Sequence, residues 1–223
     1  MINYILSRSK RKTVAIYVRR EGVEVRAPLR TPKRDIDNFV LSKEEWIKNK
    51  QAKLAGQARQ RENFTLTYGS TVFYRGKPCL IVAYKGKRVD FRNGQFFIPQ
   101  GLSPEEIKKA CVKIYRMLAK RDLTEMTLYY ARKMGTEPAA IKINSAKTRW
   151  GSCSAKKSVN FSWLLIIADN EAIEYVVVHE LAHIIELNHS PRFWAIVESI
   201  LPDYKTRRKR LKELQTQLSG EDW

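Results

Sequence analysis

Hydrophobic and polar residues alternate with a period of two in the first part of the chain and run together later on. Val14, Ile16 and Val18 alternate with more polar neighbours, and Val23, Val25 and Ala27 do so again beyond Gly22. This predicts a β-hairpin, closed by Pro28 and Pro32. Ser42 with Glu45 three residues on reads as a capping box, opening a helix through Trp46, Ile47 and Leu54 toward Arg61. From Phe64 to Ile98 the period of two returns, broken at Gly76-Lys77-Pro78, Lys85-Gly86-Lys87 and Asn93-Gly94, the last a tight hairpin signal.

Ser103-Pro104-Glu105-Glu106 supplies an N-cap, a proline at the first helical position and acids in the first turn. The helix it opens carries the stripe Ile107, Cys111, Ile114, Leu118 and stops at Gly135. Ile141 and Ile143 alternate as a strand, Trp150-Gly151-Ser152 reads as a turn region, and a return strand runs near Val159–Trp163. Tyr175 to Ile185 is apolar on most sides and predicts a buried helix, capped near Asn188 by a left-handed residue. Ser190 and Pro191 open a further helix bearing Phe193, Trp194 and Val197. Asp203–Leu218 reads as a last helix, with Arg207 to Arg210 a solvated charge run. The fold class is α+β. A β-rich basic region with one helix spans residues 1–100, and a helix-rich domain spans 101–223.

Composition narrows the class. Hydrophobic residues make up 43% and charged residues 29% of the 223 positions, a globular balance. No apolar run approaches the roughly 20 residues of a membrane span. Ile5-Leu6 is followed at once by Arg8, Lys10, Arg11 and Lys12, which is no signal-peptide core. A cytoplasmic protein with no membrane partner is the expectation. Cys79, Cys111 and Cys153 are odd in number and widely spaced, so neither a disulfide framework nor a cysteine-based zinc site is indicated.

The net charge of +19 is uneven, with 32 basic against 13 acidic residues over 1–147 and ten of each over 148–223. Such a surplus favours polyanionic partners, so nucleic acid held through residues 1–147 joins the expected partner classes. Tyr68, Phe73, Tyr74, Tyr84, Phe91, Phe96 and Phe97 interleave with Arg75, Lys77, Lys85, Lys87, Arg88 and Arg92. That pattern suits stacked bases, and equally the buried and solvated faces of one sheet.

The chemistry sits in one window. The three histidines of the chain, His179, His183 and His189, all lie between Tyr175 and Trp194. Residues four apart project from one helix face, so His179 and His183 can grip one ion, and Glu180 stands about 100° round from His179. A zinc held by three protein ligands keeps an open position for water, whose pKa falls toward about 7. Glu180 is placed to take its proton and pass it on. The third ligand is His189 in the following turn, or else Glu186 or Glu198. Arg149 and Arg192 are candidates to stabilise an oxyanion or hold phosphate, with Trp150 beside them. Alternatively, Arg149 pairs with Glu174 or Glu186.

Thr148-Arg-Trp-Gly-Ser-Cys-Ser154, Val159-Asn-Phe-Ser-Trp163, Tyr175-Val-Val-Val-His-Glu-Leu-Ala-His183 and Asn188-His-Ser-Pro-Arg-Phe-Trp194 resemble the YgjP-like metal-dependent hydrolases, relatives of the SprT-like zinc metallopeptidases. The resemblance implies a zincin-like domain, an active-site helix under a small antiparallel sheet, with one zinc on His179, His183 and His189. Glu180 would be the general base, and an edge strand above the helix would bind extended peptide. It implies a metallopeptidase acting on peptide or protein. It also leaves two alternatives, a UTP-type nucleoside triphosphate pyrophosphohydrolase acting on nucleotides and a SprT-like protease associated with nucleic acid.

Overall fold

Ile5–Ser9 (β1), Ala15–Arg19 (β2) and Gly22–Pro28 (β3) form a three-stranded sheet in the order β1-β3-β2 in the computed structural model, which describes residues 2–223. β2 and β3 are the expected antiparallel hairpin, and β1 joins β3 in parallel. Alternation along β3 buries Val23, Val25 and Ala27. Two helices cover them, Lys33–Ser42 (α1) with Ile36 and Val40 one turn apart, and Glu44–Glu62 (α2) with Ile47. Sequence reasoning gave this region one helix. Ser42 ends α1 instead of capping α2: its hydroxyl donates to the Phe39 carbonyl at 2.8 Å, and α2 follows after Lys43 without a side-chain cap.

Thr71–Tyr74 (β4), Lys77–Tyr84 (β5), Asp90–Arg92 (β6) and Gln95–Pro99 (β7) form a sheet of order β4-β5-β7-β6, parallel only between β5 and β7. Its turns need left-handed backbone, found at Arg75-Gly76 (φ +50° and +74°) and Asn93-Gly94 (φ +49° and +71°). Val72, Ile81, Phe96 and Ile98 face inward, while Phe73 and Leu80 are exposed on the other face. Pro104–Lys133 (α3) packs on this sheet. Ser103 and Glu106 form its capping box, and Gly135 ends it with φ +60°.

Ala140–Asn144 (β8), Gly151–Cys153 (β9) and Ser158–Ser162 (β10) form a mixed sheet ordered β8-β10-β9, in which β9 is the antiparallel edge. The stretch read as a turn at Trp150–Ser152 therefore enters a strand. The reversal lies at Ser154–Lys157, where Lys157 donates to the Ser154 carbonyl at 2.8 Å. A 3₁₀ turn at Trp163–Ile167 leads to the helices Asn170–Ile185 (α4), Pro191–Ile200 (α5) and Tyr204–Leu218 (α6).

By its contacts the chain forms two units. The first holds residues up to Phe64 with Leu218–Asp222, where Arg61 Nε donates to the Ser219 carbonyl at 2.7 Å. The second holds Thr65–Gln217 with Trp223. Within this second unit α3 packs on the β4–β7 sheet through β7. Among the described residues no helix is long and apolar enough to cross a membrane.

Candidate metal centre

Asp169 caps α4 by accepting from the Ala172 amide at 2.8 Å, and Val176, Val177, Val178, Leu181 and Ala182 bury the helix. Among these buried turns the polar positions are His179, Glu180 and His183. α4 stops at Ile185 with Glu186 in extended backbone, earlier than the expected Asn188, and Asn188 is not left-handed. The early stop is useful. His183 Nδ1–H donates to the Glu186 carbonyl at 3.3 Å, which leaves its Nε2 lone pair free, and the chain then bends back to bring His189 in. Ser190 and Pro191 start α5 as expected, with Ser190 accepting from the Phe193 amide.

The ligating atoms of His179, His183 and His189 all lie within 4.8 Å of one another. Among the described residues this is the only grouping of three or more metal-ligating side chains, and Glu186 and Glu198 fall outside it. His179 Nε2 and His189 Nε2 face each other at 3.1 Å. Nitrogens bound tetrahedrally at about 2.0–2.1 Å lie about 3.4 Å apart, so this spacing suits one zinc-sized cation. Without a cation the same spacing is that of an N–H···N hydrogen bond, its donor set by the tautomer. Burial pushes the His179 pKa down to about 3, assisted by the other two histidines and by Arg208, and burial lowers His183 as well. Neutral imidazoles are the form a metal requires. The donor set fits the ion.

Phe193 is fully buried and meets all three imidazoles, with ring centroids 4.9, 4.5 and 4.8 Å from His179, His183 and His189. Trp194 stacks on His189 at 5.6 Å and on Tyr204 at 5.3 Å. Sequence reasoning placed both aromatics on α5 and assigned them no part in orienting ligands. Proximity to the Ser190-Pro191 helix start was the signal available for it.

Glu180 is 6% exposed, and burial raises its carboxyl to about 7 against the opposing charge of Arg149. Its roof is β9. A Cβ on Gly151 would lie 2.6 Å from Glu180 Cγ and Oε1, so the strand approaches the carboxylate only because position 151 has no side chain. An open cavity of about 440 Å³ adjoins His179 and Glu180, with Arg149, Trp150, Tyr175, Val176, Leu211, Arg208 and Lys212 among its lining. Arg149 and Trp150 are thus both brought to the cavity. Glu174 pairs with Arg207 instead of Arg149, and Glu186 with Arg192 at 3.9 Å. Arg192 does not line the cavity. Arg208 and Lys212, unassigned from sequence, do.

A histidine cluster fitted to one cation beside a desolvated carboxylate is the equipment of a metal-dependent hydrolase. The chain belongs to the YgjP-like family: the model described as YgjP-like, metallopeptidase domain, matches residues 12–214. Two solved structures are similar over part of the chain. The metallopeptidase zymogen of Pyrococcus abyssi abylysin is 20% identical, covering 45% of this chain and 99% of that one, with a TM-score of 0.39. The metallopeptidase zymogen of Methanocaldococcus jannaschii jannalysin is 23% identical, covering 43% and 97%, with a TM-score of 0.38. No curated protein matches.

Proposed function

We propose that this chain is a zinc-dependent peptidase in which His179, His183 and His189 hold one metal ion and Glu180 is the general base. The observation that carries the reading is the convergence of three imidazoles within 4.8 Å beside a buried carboxylate under an edge strand. A zinc ion bound there would polarise a carbonyl and lower the pKa of water at its open position. Glu180 takes a proton from the attacking water and delivers it to the leaving amine nitrogen. Its desolvated carboxyl, near 7 before metal binds, is tuned for both directions of transfer. β9 offers its free edge to an extended peptide, which adds as a strand and presents its carbonyl above α4. Arg149, in the cavity lining, meets developing negative charge.

The cationic lining also suits a polyphosphate, so a nucleoside triphosphate pyrophosphohydrolase is the second reading. One experiment separates them: wild type and Glu180→Gln, both zinc-loaded, are offered an unfolded casein and a panel of nucleoside triphosphates. Peptide cleavage by wild type alone supports the peptidase. Pyrophosphate release by wild type alone replaces it with the second reading, and equal rates in the two proteins remove Glu180 as base. His183→Ala with unchanged zinc content removes the ligand set.

A further inference from the structure

Helix α6 sorts its cations by face. Arg207 donates to Glu174 at 2.6 Å and to Asp203 at 2.8 Å, and Arg210 reaches Glu171 and Asp169, so this side is neutralised by acids of α4 and its N-cap. Arg208, Lys212 and Gln215, at successive turns, line the cavity beside His179 and Glu180 instead. Arg149 lines it from the segment before β9. Among the described residues none of Arg149, Arg208 and Lys212 makes an ion pair, and the only acid lining the cavity is Glu180, held under Gly151. A cleft lined by cations of one sign draws and concentrates an anion.

Arg208 is also held in place. Its guanidinium carbon lies 5.5 Å from the centroid of Trp194, which itself stacks on the ligand candidate His189. A planar fork fixed in this way matches a carboxylate with two parallel hydrogen bonds. Arginine and lysine hold phosphate as well as carboxylate, but no helix N-terminus, the usual phosphate cradle, is among the residues lining the cavity. Arg208 and Lys212 come from the body of α6, and Trp150, Val176 and Leu211 beside them suit the stem of a side chain.

We propose that this half of the cavity is a carboxylate subsite that binds an acidic side chain, or the terminal carboxylate, of a peptide. The cleavage that follows binding rests on the peptidase reading above. Binding itself is measured without turnover, on zinc-loaded Glu180→Gln, by fluorescence anisotropy of labelled hexapeptides. The peptides differ only in a central Glu or Gln and in a free or amidated C-terminus. The Glu or free-acid peptide should bind about tenfold more tightly than its neutral twin. Arg208→Glu with Lys212→Glu should bring the ratio to about one or reverse it. Lys209→Glu, an exposed change on the same helix, should leave it in place. Zinc content and circular dichroism report folding, and the Arg208→Ala/Lys212→Ala pair replaces the reversal if that unfolds α6.

Preference following the central Glu assigns the side chain, and preference following the free end assigns the terminus. Equal binding of all four peptides overturns the subsite, as does a preference that survives the double variants. Preferential binding with no cleavage by wild type leaves the subsite standing and removes the peptidase reading. Hydrolysis of a nucleoside triphosphate by wild type, lost in the Arg208 and Lys212 variants, overturns the assignment to peptide.

Discussion

Gly151 and Glu180 are in contact across the roof of the site: a Cβ at position 151 would stand 2.6 Å from both Cγ and Oε1 of Glu180 and 2.8 Å from its Cδ. No real Cβ tolerates such distances. The backbone of the edge strand and the proposed base are thus positioned as one piece, and the strand that would hold a peptide is the strand that fixes the carboxylate.

Gly151→Ala should therefore displace Glu180 or lift β9. Misplacement of a reacting group by about 1 Å costs on the order of 100-fold in rate. The expected result is a fall in turnover of that order with zinc content unchanged, since the atoms a Cβ there would meet first all belong to Glu180. Near wild-type turnover in Gly151→Ala would detach Glu180 from the chemistry.

Burial of Glu180 also predicts a pH dependence in the metal-free protein. Its carboxyl titrates near 7 in the folded state and at 4.5 in its ordinary state, so between these values the folded chain holds the extra proton. Its contribution to stability is complete below about pH 4.5 and is lost as pH rises through 7, a change of roughly 2–4 kcal/mol. Metal-free Glu180→Gln lacks this loss. It should melt higher than metal-free wild type by about 5–10 °C at pH 8, with the gap closing toward pH 4.5. A gap of the same size at both pH values would contradict the burial of a chargeable group there.

The site was legible where its determinants are local. The four-residue spacing of His179 and His183, the Ser190-Pro191 helix start and the Ser103–Glu106 capping box each depend on neighbours within one turn, and each is found as read. Where a distant partner decides, the reading departed. Residues 151–153 form a strand because β10 pairs with them. Ser42 lies inside a helix because Ile36 and Val40 pack on β3. The Arg207 to Arg210 run looked uniformly solvated, and only the acids of α4 divide it into a paired face and a cavity face.

That division predicts unequal consequences for two arginines three residues apart. The Arg207 side chain is 14% exposed and bridges Glu174 and Asp203, whereas Arg210 is 47% exposed. Arg207→Ala removes the cation from Glu174, whose side chain is 28% exposed, and should cost about 2–4 kcal/mol. Arg210→Ala should cost about 1 kcal/mol or less. Urea titration of both variants provides the comparison. Similar losses in the two would show that Arg207 does not tie α6 to α4.

The aromatic support of the histidines gives the last prediction. Phe193 meets each of the three rings and Trp194 stacks on His189, yet neither offers a ligand atom. If the histidines hold the proposed metal, these rings restrict where the imidazoles can point, and neighbours that orient metal ligands typically contribute 10- to 100-fold to affinity. Trp194→Ala should thus raise the zinc dissociation constant by about that factor, measured by competition with a chelator, and free His189 most. Phe193→Leu keeps most of the apolar volume while losing the flat faces, and should weaken zinc less than Trp194→Ala at a cost of about 1–2 kcal/mol in stability. Saturating zinc should restore turnover in both variants, because Glu180 is untouched. If affinity stays at the wild-type value in Trp194→Ala, the backbone bend after Ile185 alone positions His189, and the stack on Trp194 serves only to fasten Arg208 and α6.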